Sequence, residues 1–295
     1  MDKKPYIALF VSVASVSTAA VLIVTAKAPA LSIAFYRLLF TVLLLLPLVL
    51  LHKKTREELT TLPRTTFLIM IGIGIILAAH FAFWITSLKF TSVASSVILV
   101  TAHPVMVAPT AHFFLKEKLS IVNIFGISIS VSGVIILVLG NYGLGSLTID
   151  TLEGNILAIL GGICAGFYIL GGRKLRKNVS VGSYAIVVYS IAAITLFILC
   201  LVFNSTITNI SLRDYQIFII MAITAGILGH TLYNWSLRHI RASVASVALL
   251  GEPLGSTMLA FALPWISQIP SRFTIIGGAI ILLGIYLTAR KNNNF

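Results

Sequence analysis

Eight acidic side chains serve a chain of 295 residues, and of these only Glu252 falls well inside a long apolar run. An ionisable group at membrane depth is costly, so it faces a cavity or a partner, and it can carry a proton. Histidines supply matching chemistry. His80 and Trp84 stand four apart and so share one helical face, and His230 and Asn234 repeat that spacing in a later run. His103 sits in mid-run beside Pro104. A single buried histidine is more often an interhelical hydrogen-bond donor than a ligand group. As a set, three such imidazoles and one carboxyl suit substrate hydrogen bonding or a proton relay, because histidine changes charge at about pH 6 to 7. Trp84, Phe167 and Tyr168 offer faces for a flat or cationic substrate, although bundle aromatics more often meet core or lipid. The candidate substrate-binding set is therefore His80, Trp84, His103, Tyr168, His230, Asn234 and Glu252, with Glu252 and His103 as the proton-coupling candidates.

Two prolines are expected to open space around this set. Pro104 and Pro253 lack an N–H and clash with the preceding turn, so each predicts a kink that frees the carbonyls of Val100 and Leu249. Arg37, a base within a run, is expected to snorkel outward to headgroups rather than to form an anion site. Ser12 and Ser15 give the first run a thin polar stripe that is expected to line the cavity. Neither an aspartate pair, a serine–histidine arrangement nor a zinc-protease H-E-x-x-H motif is present at depth, so an enzyme is poorly supported. Cys164 and Cys200 lie inside apolar runs without metal-ligand spacing, so no metal or cofactor is expected.

The elements that must position these groups follow from composition. Hydrophobic residues make up 58% of the chain and charged ones 10%, with a mean hydropathy of +1.05, which excludes soluble enzymes, nucleic-acid binders and disulfide scaffolds. Runs long enough to cross about 30 Å of hydrocarbon number about ten. They lie near 5–25, 30–51, 66–88, 92–115, 121–140, 154–172, 183–203, 215–237, 242–265 and 273–289. The first run follows Lys3 and Lys4, but it is long and lacks an A-x-A step, so it reads as a helix rather than a secretory signal. Sorting bases by alternate sides places about sixteen on one side and about four on the other. That asymmetry predicts an even number of spans with both termini in the cytoplasm. It also makes the net charge of +13 a topology signal rather than a nucleic-acid patch. Trp265 and Tyr286 read as interfacial belt residues.

The ten runs also read as two times five. Ser87-Leu88-Lys89 recurs as Ser236-Leu237-Arg238, 149 residues later, and at that offset Pro104 falls on Pro253 and His103 on Glu252. The next run repeats at 151, with Ser120, Gly126 and Gly133 on Ser271, Gly277 and Gly284, and the Ser-Val-Ala-Ser runs at Ser92 and Ser243 fit that offset too. A five-span unit has an odd number of crossings, so its second copy enters upside down, as in alternating-access transporters. The expected architecture is an all-α integral membrane protein of ten transmembrane helices in two inverted five-helix repeats, 1–148 and 149–295. Gly126, Gly133 and Gly140, Gly277 and Gly284, and the Gly162–Gly166 step are expected to let helices of one molecule approach closely, with dimerisation the rarer use.

These features together resemble the EamA-type branch of the drug/metabolite transporter superfamily. The resemblance rests on the two halves, the Ser-Leu-Lys/Arg hairpins, Pro104, Lys116-Glu117-Lys118-Leu119, Gly251-Glu252-Pro253 and the glycine-rich closing helices. The second half departs from it, reading Pro264-Trp265-Ile266-Ser267 where the first has its Glu117 step. The resemblance implies a secondary carrier without a cofactor, moving amino acids, related metabolites or toxic organic compounds through a central cavity. Its expected partners are a small-molecule substrate and the lipid bilayer, as a monomer in the plasma or inner membrane. The rivals are a membrane enzyme acting on a lipid-soluble substrate, a uniporter and a channel. The short loops and single pore-depth acid provide no filter for the last.

Overall fold

The computed structural model describes residues 3–91, 96, 99–142, 152–262 and 272–289, and its regular elements among them are helices. Ten are apolar: α1 (Lys4–Ile23), α2 (Ala30–Leu51), α3 (Arg64–Ser87), α4 (Leu99–Leu115), α5 (Ile121–Tyr142), α6 (Leu152–Leu175), α7 (Val181–Val202), α8 (Leu212–Ser236), α9 (Ala242–Gly255, helical onward to Ala262) and α10 (Arg272–Ala289). Of these, α1, α2, α3, α6, α7 and α8 are long and apolar enough to cross a membrane. The other four carry shorter apolar stretches. The Ser92 run, Pro264 to Ser267 with Trp265, Ser271 and the junction between 148 and 149 lie outside the described residues.

Helix starts follow local chemistry. Pro29 and Pro63 stand at the N-caps of α2 and α3, where a missing N–H is harmless. The Ser180 and Ser211 hydroxyls cap α7 and α8 by accepting the N–H groups of Ser183 and Asp214. A short polar helix, Lys53–Thr61, fills a stretch between α2 and α3 that the hydropathy pattern treats as a linker. Its Glu58 accepts hydrogen bonds from the Ser180 N–H and the Ser183 hydroxyl at the start of α7. Partial burial opposes the Glu58 charge, but those bonds and the charge of Arg176 outweigh it and hold the carboxyl below its ordinary range.

The outer surface is apolar, as lipid contact requires: Leu51 and Phe114 are 82% and 81% exposed. Tyr286 also points outward, in keeping with a belt position. Inside, two clusters form the core, a large one spread over α1 to α4 and α6 to α9 and a smaller one joining α4, α5, α9 and α10 through residues such as Val134, Leu250 and Ile281.

Helix pairing follows a pattern. The pairs α5/α10, α2/α7 and α4/α9 pack together, as do α3/α6 with α8/α1, α3/α7 with α8/α2, and α4/α6 with α9/α1. Replacing every helix by the one five places on maps this set onto itself. The α5/α10 contact is the closest in kind. A Cβ on Gly126 would come within 2.8 Å of the Gly284 carbonyl oxygen, and one on Gly133 within 2.8 Å of that of Gly277. The seven-residue glycine spacing thus serves packing within the molecule, sealed by Asn123 Nδ2 donating to the Thr288 carbonyl at 3.0 Å.

Candidate functional site

Four helices that meet near the centre are irregular there. α1 breaks at Ser17, and α4 has a turn at Ala102–His103 before Pro104 resumes the helix. α8 is π-helical over Ala222–Thr231, and α9 tightens to a 3₁₀ turn at Leu249–Gly251 just before Glu252 and Pro253. The Glu252 N–H donates to the Leu249 carbonyl, so that carbonyl, expected to be free, is taken up by the tightened turn. Irregular backbone of this kind at membrane depth needs protein partners. Here α1 supplies them. Ser17 Oγ lies 3.2 Å from the Glu252 carbonyl, Thr18 Oγ1 donates to Thr224 Oγ1 at 2.9 Å, and Ser12 Oγ donates to the Gly229 carbonyl at 3.0 Å. Ser12 of the expected stripe is therefore consumed by a helix contact and is fully buried rather than lining open space, whereas Ser15 is half-buried.

Arg37 departs most from expectation. It does not reach outward: it is 2% exposed, and its guanidinium carbon lies 4.3 Å from the centroid of the Phe81 ring, a cation–π contact. Its Nη1 has no hydrogen-bond partner among the described residues. Glu252 and Tyr189 lie within its electrostatic reach, and so do His80 and His230. The charge within electrostatic reach of Glu252 is thus Arg37 from the opposite half of the chain, while His103 lies within reach of His80.

The remaining candidates surround this pair. His80 stacks on Trp84, ring centroids 5.8 Å apart, and its Nδ1 lies 2.9 Å from the Gly161 carbonyl, a contact that requires the proton on Nδ1. Phe81 carries His230 edge-on at 5.3 Å, and Tyr168 follows at 6.1 Å from His230. Asn234 is fully buried, its amide nitrogen reaching the hydroxyls of Tyr168 and Tyr189 and, at 2.7 Å, the His230 carbonyl. Glu252, His80 and His230 keep part of their surface accessible, whereas His103, Trp84 and Tyr168 are buried. Phe167 is 48% exposed and faces away from this group, so of the aromatic pair only Tyr168 belongs to it. Trp84 Nε1, His103 Nδ1 and Asn234 Oδ1 join Arg37 Nη1 as buried polar atoms without a partner among the described residues. Native interiors leave few such atoms, and each needs a reason.

A second cluster escaped the sequence reading. At the end of α4, Lys116 adopts a left-handed conformation (φ 54°) that turns Glu117 inward. Glu117 Oε1 lies 2.8 Å from Arg173 Nε, and Oε2 accepts the Ala242 N–H at 2.9 Å where α9 begins. Arg173 Nη1 donates onward to the carbonyls of Leu237 and Arg238. Arg241 reaches back to the Lys118 carbonyl at 2.9 Å. Deeper, Arg176 is 1% exposed and donates from Nε to the Asn234 carbonyl at 3.0 Å. Three bases that enter the sequence argument only as topology markers thus tie the ends of α4, α6, α8 and α9 together. Their signal is invisible locally, because Glu117 and Arg173 are 56 residues apart.

The profile of the EamA-like transporter family matches this chain twice, over residues 3–139 and 152–290. An uncharacterized transporter of Bacillus subtilis, YyaM, is 26% identical over 217 residues, covering 70% of this chain and 68% of that protein. One from Archaeoglobus fulgidus is 24% identical over 217 residues, with 72% of each covered. A solved structure described as "Crystal structure of protein" shares the fold with a TM-score of 0.80 at 17% identity, covering 97% of this chain and 96% of that one.

Proposed function

From the premise that this chain belongs to the EamA-like transporter family, we propose that it is a secondary active carrier of a small organic metabolite, working by alternating access. It is a multi-pass membrane protein in which ten spans form two inverted five-helix repeats, 1–148 and 149–295, with both termini in the cytoplasm of a plasma or inner membrane. The twofold pattern of helix pairs supports the repeats, since each leading contact recurs when helices are exchanged five places on. The bilayer and the transported solute are its partners.

The observation that carries the reading is the central group itself. Arg37, His80, Trp84 and His103 come from the first half, and Tyr168, His230, Asn234 and Glu252 from the second, and they meet with several buried polar atoms still lacking partners. A site assembled from both halves is remade whenever the halves rock, which is the requirement for alternating access. The Glu117–Arg173 clasp supports a closed cytoplasmic end in this conformation, because it joins helices of both halves on the side where the bases gather. Substrate entering from the opposite side would meet the centre while that end stays shut. Pro104 and Pro253 keep α4 and α9 interrupted beside the site, and Glu252 with His103 are the groups through which a proton would be coupled.

The test is uptake by the purified protein in liposomes, screened with amino acids, nucleosides and organic cations, with and without a proton gradient. Accumulation of one class against its gradient is expected. Equilibration without accumulation for every class would make this a uniporter.

A further inference from the structure

Arg37 poses a problem that the bundle does not solve by itself. A guanidinium at 2% exposure, with one nitrogen unpartnered and a benzene face beneath it, is far from the ordinary way of housing a charge in lipid. Its fork-shaped donor set suits planar oxyanions. The groups that face it are Glu252 from α9, Tyr189 from α7, His80 and Phe81 from α3, and His230 from α8. Those near Glu252 from its neighbours are Arg37, together with the Ser17 hydroxyl of α1 at its backbone; His103 of α4 lies within electrostatic reach of His80. With the imidazoles neutral, the centre holds one positive and one negative charge.

We propose, building on the carrier reading above, that Arg37 holds a carboxylate of the substrate and that Glu252 takes up one proton as the carboxylate docks, so that acid and proton cross together. The inference follows from charge balance. Adding a carboxylate to a site that already holds the charges of Arg37 and Glu252 leaves one uncompensated negative charge, which a low-dielectric site resists. A proton on Glu252 restores neutrality. The guanidinium then takes the substrate carboxylate as its direct partner, and the protonated Glu252 carboxyl becomes a hydrogen-bond donor. Trp84 Nε1–H, also buried and unpartnered, is available as a further donor to the bound oxygen atoms. A monoanion fits better than a phosphate dianion, because Arg37 is the one cationic side chain in the described part of this cluster. Phe81, Trp84 and Tyr168 give the rest of the substrate an apolar, aromatic wall.

Binding to the purified full chain tests this by thermal stabilisation at about pH 6 and about pH 8. The probes are L-leucine, L-phenylalanine, 4-methylpentanoate and phenylacetate, each beside its amide, with 3-methylbutylamine, 2-phenylethylamine and inorganic phosphate. Carboxylate members are expected to bind, up to about tenfold more tightly for each pH unit lowered while Glu252 is mostly ionised, with the gain levelling off once it is protonated. Their amides, the two amines and phosphate are expected not to. Glu252→Gln is expected to bind the same carboxylates with no pH dependence. Arg37→Gln is expected to lose them, and the double variant with Glu252→Gln, which removes both charges and so remains foldable, is expected to lose them as well. An amide or amine that binds as well as its parent acid, carboxylate binding retained in the double variant, or no carboxylate bound at either pH would overturn the proposal. Gradient-driven uptake of an amine or neutral solute would overturn the carboxylate site while leaving the carrier intact. Carboxylate binding without any flux in liposomes would instead remove the carrier reading and leave the site.

Discussion

At the rim where α4, α6 and the α8–α9 turn meet, both carboxylate oxygens of Glu117 have protein partners, and Arg173 divides its donors between that carboxylate and two carbonyls. In the centre, Arg37 keeps Nη1 unpartnered among the described residues, with an aromatic face and a distant carboxylate for company. Both regions bring one arginine and one glutamate together from opposite halves of the chain. What separates them is satisfaction. A fully bonded buried pair fixes the positions of the elements that carry it, and truncating it exposes the remaining charge to the whole cost of burial. A partly bonded one is a poor lock but a receptive surface for a polar ligand. The rim is therefore proposed as a latch and the centre as a binding site.

Substitution sharpens that contrast most strongly at Arg37 and Glu117. Arg37→Gln is expected to lower uptake by at least about 100-fold, the loss of about 3 kcal/mol from one charged contact in a buried site. Glu117→Gln is expected to destabilise the protein by about 2 kcal/mol and to raise labelling of cysteines facing the cytoplasm, while uptake stays within about tenfold of wild type. Parallel transport and thermal-unfolding assays separate the two outcomes. If both substitutions lowered transport equally with equal loss of stability, the distinction between latch and site would dissolve.

A smaller effect is expected from cysteine scanning in a cysteine-free background. Cysteines at 80, 84, 230 and 234 are expected to react with impermeant reagent as the two halves open, 84 and 234 being buried in the conformation described, and substrate is expected to slow that reaction several-fold. Cysteine at position 167, in place of the outward Phe167 side chain, provides the lipid-facing control. Uniform inertness of the four would remove them from the site.

The smallest effect concerns a partnered carboxylate that is largely solvated. Glu58 has a lowered folded pKa, so its contribution is present above the ordinary carboxylate range and is lost as pH falls through the lowered value. Glu58→Gln is expected to cost below about 1 kcal/mol near neutrality, and less still in acid. A melting-temperature profile against pH checks it: the gap between wild type and variant narrows only at the acidic end. A gap unchanged at low pH would show that the charge contributes nothing.

The contrast also explains what was legible in the sequence. Apolar runs, glycine spacing and the four-residue pairs report on one helix at a time, and lipid makes those signals strong because each crossing must be apolar along its length. Hence the α5/α10 glycines could be assigned to close packing, and His80, Trp84, His230 and Asn234 could be grouped, from spacing alone. The polar helix Lys53–Thr61 was hidden because its composition resembles a linker. The π-helical part of α8 was hidden because hydropathy is blind to hydrogen-bond register. Arg37 was read as snorkelling because a lone arginine in a run looks the same whether or not its neighbours are favourable. Phe81 and Glu252, far away in the chain, decide that question. Glu117 and Arg173 present the same difficulty: each lies at a helix end, and only the fold shows that they face each other.

The most direct test of the central claim is gradient-driven uptake by Glu252→Gln in proteoliposomes, measured beside counterflow exchange of the same substrate. The amide keeps the shape and hydrogen-bonding capacity of the carboxyl without a titrating proton. Wild type is expected to concentrate substrate under an inward proton gradient, and the variant is expected to lose accumulation while retaining exchange. A wild type indifferent to the gradient, or a variant that still concentrates substrate, would return Glu252 to a structural role and contradict the account.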